Sequence, residues 1–270
     1  MADVAKKPVS ADALDDDFYV DEPVGSDQNE VQGNDHEEIG AKRKAKDKKK
    51  KKKKQKVTTE EGVQEIGRLY KESPSVQFAY VRQHQKKALP KLSDVELEEQ
   101  ALPESQFVDN SKFNMPDHTL DALPNYVKFG VMQHKQLLKK PEELASPRVL
   151  VLTHSAIRAA DLARALKGEL DKAAKVAKLF AKHFKIEQQI QYLQEKPLHI
   201  GVGTPNRIRV LTEEGHLKMD KLELVVVDTE KNAKTFNIFE NDSVRADLYT
   251  FLGRFISPRM KENKTKLGLF

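Results

Sequence analysis

His199-Ile200-Gly201-Val202-Gly203-Thr204-Pro205-Asn206-Arg207-Ile208, followed one helix later by Leu224-Val225-Val226-Val227-Asp228, decides the fold of this chain. Each segment is a short apolar run that stops at a polar turn. That is the pattern of a strand buried on both faces. The residues between them read as a helix through Leu211. Upstream, Val149-Leu150-Val151-Leu152 follows Pro147 and repeats the pattern, and Thr153-His154-Ser155 supplies turn and N-cap chemistry. Ala159, Leu162, Ala163, Leu166 and Leu170 then recur at helix spacing, with Arg158, Asp161, Arg164 and Lys167 on the opposite side. Ala173 to Phe184 predicts a second helix, with Val176, Leu179, Phe180 and Phe184 as its apolar stripe, and Ile186–Ile190 predicts a short strand. Lys266 to Phe270 reads as a last strand. Strands alternating with helices imply crossovers and a parallel sheet, hence an α/β domain over 126–270. In such sheets function gathers at the carboxyl ends of the strands, where Ser155, Thr204, Arg207 and Asp228 fall.

The rest of the chain is organised by charge. It has 270 residues, 47 Lys+Arg against 42 Asp+Glu, and no Cys or Trp. The absence of Cys excludes disulfides, Cys-based zinc sites and a thiol nucleophile. The net charge of +5 averages three unlike parts: −10 over residues 1–40, +11 over 41–56 and +4 over the remainder. Charges of one sign at this density repel, so 1–40 is expected to be a disordered acidic arm and 41–56 a Lys-rich basic segment. Asp15–Asp17 followed by Phe18 and Tyr19 sets two aromatics in the arm, as a docking peptide or a solubilising tail. Lys48, Lys49, Lys50, Lys51, Lys52, Lys53 and Lys54 form an unbroken run. Such a run binds polyphosphates without regard to sequence and also serves as a nuclear address; the plainer alternative is a solvated linker. The start, MADVAKKPVS, has no apolar run, and no stretch approaches the roughly 20 apolar residues of a membrane span. The chain is therefore expected to be soluble and intracellular, with no membrane partner.

Residues 57–125 read as helices and an extended strap without an evident core of their own. Val63, Ile66 and Tyr70 have helical spacing from Thr58, Ser73-Pro74 breaks and restarts the helix, and Leu89-Pro90 ends it. Ser93 and Glu96 have capping-box spacing, and a short acidic helix through Glu99 follows. Pro103, Pro116 and Pro124 then punctuate a strap lying on a surface. A phosphate-binding G-x-x-x-x-G-K-[ST] loop is absent, since the chain contains no Gly-Lys dipeptide. Its nearest miss, Gly62 to Leu69, has Arg68 for Lys, Leu69 for Ser/Thr and a helical pattern around its glycines. Gly201 and Gly203 form only G-x-G, a weak signal.

Two resemblances sharpen this reading. Val149–Leu166, Ile200–Leu211 and Leu224–Glu230 resemble motifs Ia, Ib and II of the first RecA-like domain of DEAD-box RNA helicases. Thr204-Pro205-Asn206-Arg207 is similar to T-P-G-R, which in that family holds the RNA backbone. Asp228 matches the first residue of D-E-A-D, which positions magnesium. The departures are pointed. Thr229 stands where the acid that orients the attacking water belongs, Lys231 replaces the final Asp, and the Arg and Glu of motif Ia fall near Ala156 and Ile157. A helicase would continue past Leu267-Gly268-Leu269-Phe270 into a second RecA-like domain. ATP-driven unwinding is therefore not expected. Over the whole chain, Lys178-Leu179-Phe180-Ala181-Lys182-His183-Phe184, the His199–Ile208 stretch and Lys266-Leu267-Gly268-Leu269-Phe270 resemble the eukaryotic Cms family, the helicase-like component of the small-subunit processome. That likeness implies a single incomplete RecA-like domain, nucleolar residence and a scaffold role in small-subunit assembly. It also implies pre-ribosomal RNA, the guide small nucleolar ribonucleoprotein and processome proteins as partners. Neither enzymatic activity nor a cofactor is expected.

The RNA-contact candidates are thus Thr204, Pro205, Asn206, Arg207, Ser155 and the run Lys48–Lys54. The alternative at the turn is a Thr-Pro helix cap with a solvated Arg207. Asp228 is a weak metal candidate, more ordinary as a cap or hydrogen-bond acceptor. His183 and His199 are expected to be packed or satisfied, and Phe180 and Phe184 to be core. Arg158, Arg164, Lys167, Lys172, Lys175, Lys178 and Lys182 would line two successive helices, as a basic RNA surface or a plain solvated face. Two other functional classes fit the same features: a residual nucleotide-binding helicase-like protein, and a DNA- or chromatin-binding adaptor.

Overall fold

Three apolar tetrapeptides, Val176-Ala177-Lys178-Leu179 and Lys266-Leu267-Gly268-Leu269 become one sheet. The computed structural model describes residues 68–115, 117–132, 143–169 and 174–270, with 135, 137, 139 and 141 between them. The acidic arm, the lysine run and most of the helix expected from Thr58 lie outside the described residues; the described end of that helix is a 3-10 turn at Leu69–Lys71. Strands β1 (Val149–Leu152), β2 (Val176–Leu179), β3 (Ile200–Gly203), β4 (Leu224–Val227) and β5 (Lys266–Leu269) pair in parallel in the order β2-β3-β1-β4-β5. The domain is the expected α/β type, a RecA-like parallel sheet. Val149, Val151, Val202 and Val226 face one core layer, and the alternating Leu150, Leu152, Val225 and Val227 are as fully buried on the other. Both faces are therefore covered, as a parallel sheet requires.

The helices ahead of the sheet are α1 (Pro74–Ala88), α2 (Asp94–Glu99) and α3 (Leu123–Gly130). Ser73 caps α1 ahead of Pro74, and the Ser93/Glu96 capping box opens α2 with both reciprocal bonds formed. The crossovers are made by α4 (Ala156–Glu169), α5 (Ile186–Glu195) and α6 (Pro205–Glu213). After β4 come α7 (Arg245–Phe251), a π-turn at Leu252–Ile256 and α8 (Ser257–Lys261). Among the described residues no helix is long and apolar enough to cross a membrane.

The segment between α2 and α3 lies along the outer edge of β5. Phe107 bridges Leu267 in parallel, and the Val108 amide donates to the Leu267 carbonyl at 2.8 Å. Three 3-10 turns, Glu104–Gln106, Asn110–Lys112 and Leu120–Ala122, carry the strap onward. Asn110 Nδ2 donates to both the Tyr70 and Leu269 carbonyls at 2.8 Å, and the buried Tyr126 hydroxyl lies 2.7 Å from Asn110 Oδ1. His118 stacks between Tyr70 and Phe270, with ring centroids at 4.0 and 4.8 Å. Further round, Asn237 Nδ2 donates to the Tyr80 hydroxyl, and the Tyr249 hydroxyl donates to the Val81 carbonyl, each at 2.7 Å. These bonds tie α1 to the segment after β4. The border expected between 125 and 126 falls inside α3.

Two elements differ from expectation. The helix assigned to Ala173–Phe184 is strand β2 followed by a turn, and the strand assigned to Ile186–Ile190 is α5. The reason is burial. Ala177, off the supposed apolar stripe, is as completely buried as Leu179, because an edge strand against β3 buries successive residues rather than every third or fourth. His183, with φ 69°, turns the chain between β2 and α5 and is exposed rather than packed. The cations Lys175, Lys178 and Lys182 therefore lie on a strand and a turn, not on a second helix face. Lys172 is outside the described residues.

Candidate functional site

Register places the site. Leu152 of β1 pairs with Val227 of β4, so the next residues, Thr153 and Asp228, emerge side by side. The Asp228 amide donates to the Leu152 carbonyl at 2.9 Å, and Thr153 Oγ1 donates to Asp228 Oδ2 at 2.7 Å. Two residues beyond Thr153, Ser155 accepts from the Arg158 amide at 3.2 Å and opens α4, the expected N-cap. That cap brings Arg158 round in the first helical turn. Its Nε donates to Asp228 Oδ2 at 3.0 Å and its Nη2 to Oδ1 at 3.1 Å, a two-pronged pair. The Asp228 side chain is only 1% exposed and that of Arg158 is 19%. Burial works against the charge on Arg158, but the hydrogen bonds and charge of Asp228 outweigh it and hold its pKa above the ordinary value.

Asp228 is therefore not an open metal-binding carboxylate. Both its oxygens are taken by the chain itself, and among the described residues no group of three His, Asp or Glu is placed to hold a metal ion. Thr229, at the position of the catalytic acid in the helicase resemblance, donates its amide at 2.7 Å and its hydroxyl at 2.8 Å to the Phe270 carbonyl. It stitches β4 to the end of β5; a carboxylate at that position would keep the amide bond but have no side-chain proton for the second. His154 sits beside the pair, half-buried, with its Nδ1 shielded and unpartnered, and burial lowers its pKa.

The G-x-G of β3 is a packing device. A Cβ on Gly203 would lie 1.9 Å from the Leu179 carbonyl oxygen, and one on Gly201 would lie 2.7 Å from side-chain carbons of Leu150 and Leu179. The glycines let β3 approach β2, which then accepts the Thr204 amide at its Leu179 carbonyl.

The turn that follows divides its residues. Pro205 is buried at the first position of α6, and Thr204, half-buried, makes no side-chain capping bond. Asn206 is exposed and donates to Asp247 Oδ2 at 3.1 Å, while Arg209 Nε donates to Asp247 Oδ1 at 2.9 Å, so α6 is pinned to α7. Arg207 points inward. Its Nη1 donates to Gln189 Oε1 at 2.7 Å and its Nη2 to the Phe184 carbonyl at 3.2 Å. Burial lowers its pKa, partly opposed by Glu187. Gln189, fully buried, donates in turn to the Lys178 and Phe180 carbonyls, so Arg207 and Gln189 bolt α5 between β2 and α6. Arg207 is thus neither solvated nor presented at the strand ends.

His199 is satisfied as expected. Its Nδ1 accepts the Lys175 amide at 2.9 Å, which leaves Nε2 as the donor to the Lys139 carbonyl at 2.8 Å. Phe180 is buried, and Phe184 packs against the core from a partly exposed position. Of the basic face, Arg158 is consumed by Asp228 and Arg164 pairs with Asp161 at 3.0 Å. The structure thus brings Ser155 and Asp228 together, with Thr204 at the end of the strand on the other side of β1, and turns Arg207 aside. The working partners that the pattern hid are Thr153, Arg158 and Gln189. An arginine in the first turn after a strand whose neighbour ends in Asp was the one available signal.

Fold and strand ends define a parallel α/β domain with its strand-end acid closed into an internal ion pair. The chain belongs to the CMS1 family: the model described as "U3-containing 90S pre-ribosomal complex subunit" matches residues 26–270. It is similar to Protein CMS1 of Chaetomium thermophilum, 36% identical over 164 residues, covering 60% of this chain and 65% of that one. It is also similar to human Protein CMSS1, 34% identical over 180 residues, covering 65% of this chain and 61% of that one. The match thus spans less than two thirds of either relative. Among solved structures, a DEAD box protein from Methanococcus jannaschii aligns over 67% of this chain and 48% of its own, at 19% identity and a TM-score of 0.34.

Proposed function

We propose that this chain is a non-enzymatic assembly factor of the small ribosomal subunit precursor. It works in the nucleolus as a component of the 90S pre-ribosome, where it contacts pre-ribosomal RNA, the U3-containing ribonucleoprotein and processome proteins. The observation that carries the non-enzymatic part is the closed Asp228–Arg158–Thr153 cluster. An acid wholly engaged by its own fold has nothing left to position a metal-bound phosphate, and Thr229 has no carboxylate to orient a water. Membership of the family supports the pre-ribosomal part. The RNA contacts proposed are the lysine run Lys48–Lys54 and, at the strand ends, Ser155, Thr204, Pro205 and Asn206. Thr204 supports this with a hydroxyl that no capping bond uses, and Asn206 with its exposure. Arg207 contributes by holding the turn in place.

Crosslinking in cells followed by sequencing tests this directly. Pre-ribosomal RNA should be enriched, and Thr204→Ala with Asn206→Ala should thin the crosslinks at the turn. Enrichment of genomic DNA instead would replace the proposal with a chromatin adaptor. Saturable micromolar binding of ATP with magnesium in equilibrium dialysis would restore the nucleotide-binding reading.

A further inference from the structure

The loop after β4 leaves an aromatic side chain half exposed. Phe236 is 47% exposed, although Ile238 and Phe239 just beyond it are completely buried. Burying a phenylalanine is worth about 1.5–3 kcal/mol, so leaving it in water needs a cause. The cause is a small, fully bonded turn. Asn232 Oδ1 accepts the amides of Lys234 at 2.9 Å and Phe236 at 3.1 Å. The Asn232 amide donates to the Phe236 carbonyl at 2.9 Å, and the Thr235 amide to the Asn232 carbonyl at 2.8 Å. Thr235 sits at φ 66°, a left-handed conformation that β-branched residues rarely adopt. Behind the turn, Asn237 is buried and bonded to Tyr80, so the root of the loop is fixed to α1. The left-handed Thr235 and the bonds to Asn232 together fix the turn that carries Phe236.

Charge says what the ring meets. Lys231 and Lys234 precede it in the loop, both without an ion pair among the described residues; of the acids within six residues, Glu240 is bonded to Tyr80 and Asn237 and Asp242 pairs with Arg245, which leaves Glu230. A ring with two ammonium groups within six residues suits a base with its neighbouring phosphates better than an apolar protein face. Placement agrees. Because β3, β1 and β4 are adjacent and parallel, this loop leaves β4 at the same carboxyl end of the sheet at which Thr204 and Ser155 stand.

We propose that Phe236 is a stacking platform for one base of a single-stranded RNA, with Lys231 and Lys234 on the flanking phosphates. This rests on the RNA-binding reading above and adds residues that the sequence motifs did not indicate.

The chain contains no tryptophan, so Phe236→Trp creates a single fluorescent reporter at the site. The full chain is titrated with a twelve-nucleotide oligouridine over a range of salt concentrations, with Lys48–Lys54 intact and with the run replaced by Gln. F236W should bind as the parent does and lose fluorescence as the base stacks. F236A should weaken binding about 5- to 150-fold while keeping the salt slope. K231Q with K234Q should reduce that slope by about 1.4, or 0.7 for each phosphate of a single strand that is no longer neutralised. Circular dichroism checks that the exposed substitutions leave the fold intact. Unchanged affinity and slope in a chain that does bind RNA would overturn the stacking platform alone. No RNA binding by the parent chain would overturn the RNA reading with it. Intact RNA binding by F236A together with loss of a processome protein would make the loop a protein-docking element and likewise overturn the proposal.

Discussion

Replacing Asp228 with Ala removes the acceptor of three hydrogen bonds at the junction of β1, β4 and α4. The magnitude follows from what each partner is left with. Breaking a buried pair on one side costs about 3–5 kcal/mol, because the remaining charge is stranded. Arg158 is 19% exposed and reaches water when released, so Asp228→Ala should fall near the lower end, about 3 kcal/mol. Arg158→Met strands the less accessible group, since the Asp228 side chain is 1% exposed and keeps only Thr153, so about 4 kcal/mol is expected. Together, Arg158→Met and Asp228→Ala remove both charges at once. Their combined cost should fall below the sum of the single changes by about 2 kcal/mol. Urea titration followed by far-ultraviolet circular dichroism measures this. With a slope of about 2 kcal/mol/M, the single variants should lose roughly 1.5–2 M in midpoint. The same titrations are run with millimolar magnesium. A cost below about 1 kcal/mol for Asp228→Ala, strictly additive single variants, or magnesium stabilising the parent but not Asp228→Ala would refute the structural role and return the carboxylate to metal binding.

Acid should loosen the strap through His118. Burial between Tyr70 and Phe270 lowers its pKa to about 4, against about 6.5 when unfolded, so the unfolded chain binds the extra proton. Stability from this ring is complete above about pH 6.5 and is lost as pH falls towards 4, by up to about 2 kcal/mol at pH 5, less what solvent at the ring edge screens. His84, His154 and His199 are lowered too, chiefly by burial, and act with the same sign, so His118→Gln should reduce the acid sensitivity without abolishing it. An equal gap between parent and variant at pH 7.5 and pH 5 would sink this account. Gly203→Ala should cost at least about 3 kcal/mol, above the usual range for overpacking, because the new Cβ meets a backbone carbonyl at 1.9 Å rather than a yielding side chain. Thermal melts test it, and a midpoint within about 2 °C of the parent would contradict the close approach of β3 to β2.

What was legible from the residues follows physical lines. Val149–Leu152, Ile200–Gly203 and Leu224–Val227 are continuous apolar runs that end in a polar turn, and each is buried along its whole length. Such runs declare themselves because a strand covered on both faces has no polar positions to confuse the pattern. Strand β2 was not legible: Val176, Leu179 and Phe180 also satisfy helix spacing, and the polar Lys178 interrupts the run. The strand expected at Ile186–Ile190 suffers from the same ambiguity, because a short segment with few apolar residues fits either period. Ile186, Ile190 and Leu193 lie four and three residues apart, with Gln and Glu at the positions between them except for the buried Tyr192.

The site divides in the same way. A motif names residues but not the direction in which they point. Thr204 and Arg207 are neighbours in one turn, yet Arg207 is drawn 18 residues back along the chain to Gln189 by the bolt between β2, α5 and α6. Asp228 looks like a metal-positioning acid until Arg158, 70 residues earlier, is seen to close on it. Both facts depend on which strands are neighbours. Asp228 meets Arg158 because β1 lies beside β4, and Arg207 reaches Gln189 because β2 lies beside β3. Strand order is thus the variable that turns helicase-like residues into structural ones. The groups that the core leaves unclaimed at the carboxyl ends of these strands are the Thr204 hydroxyl and the loop carrying Phe236, and that is where the proposed RNA contacts fall.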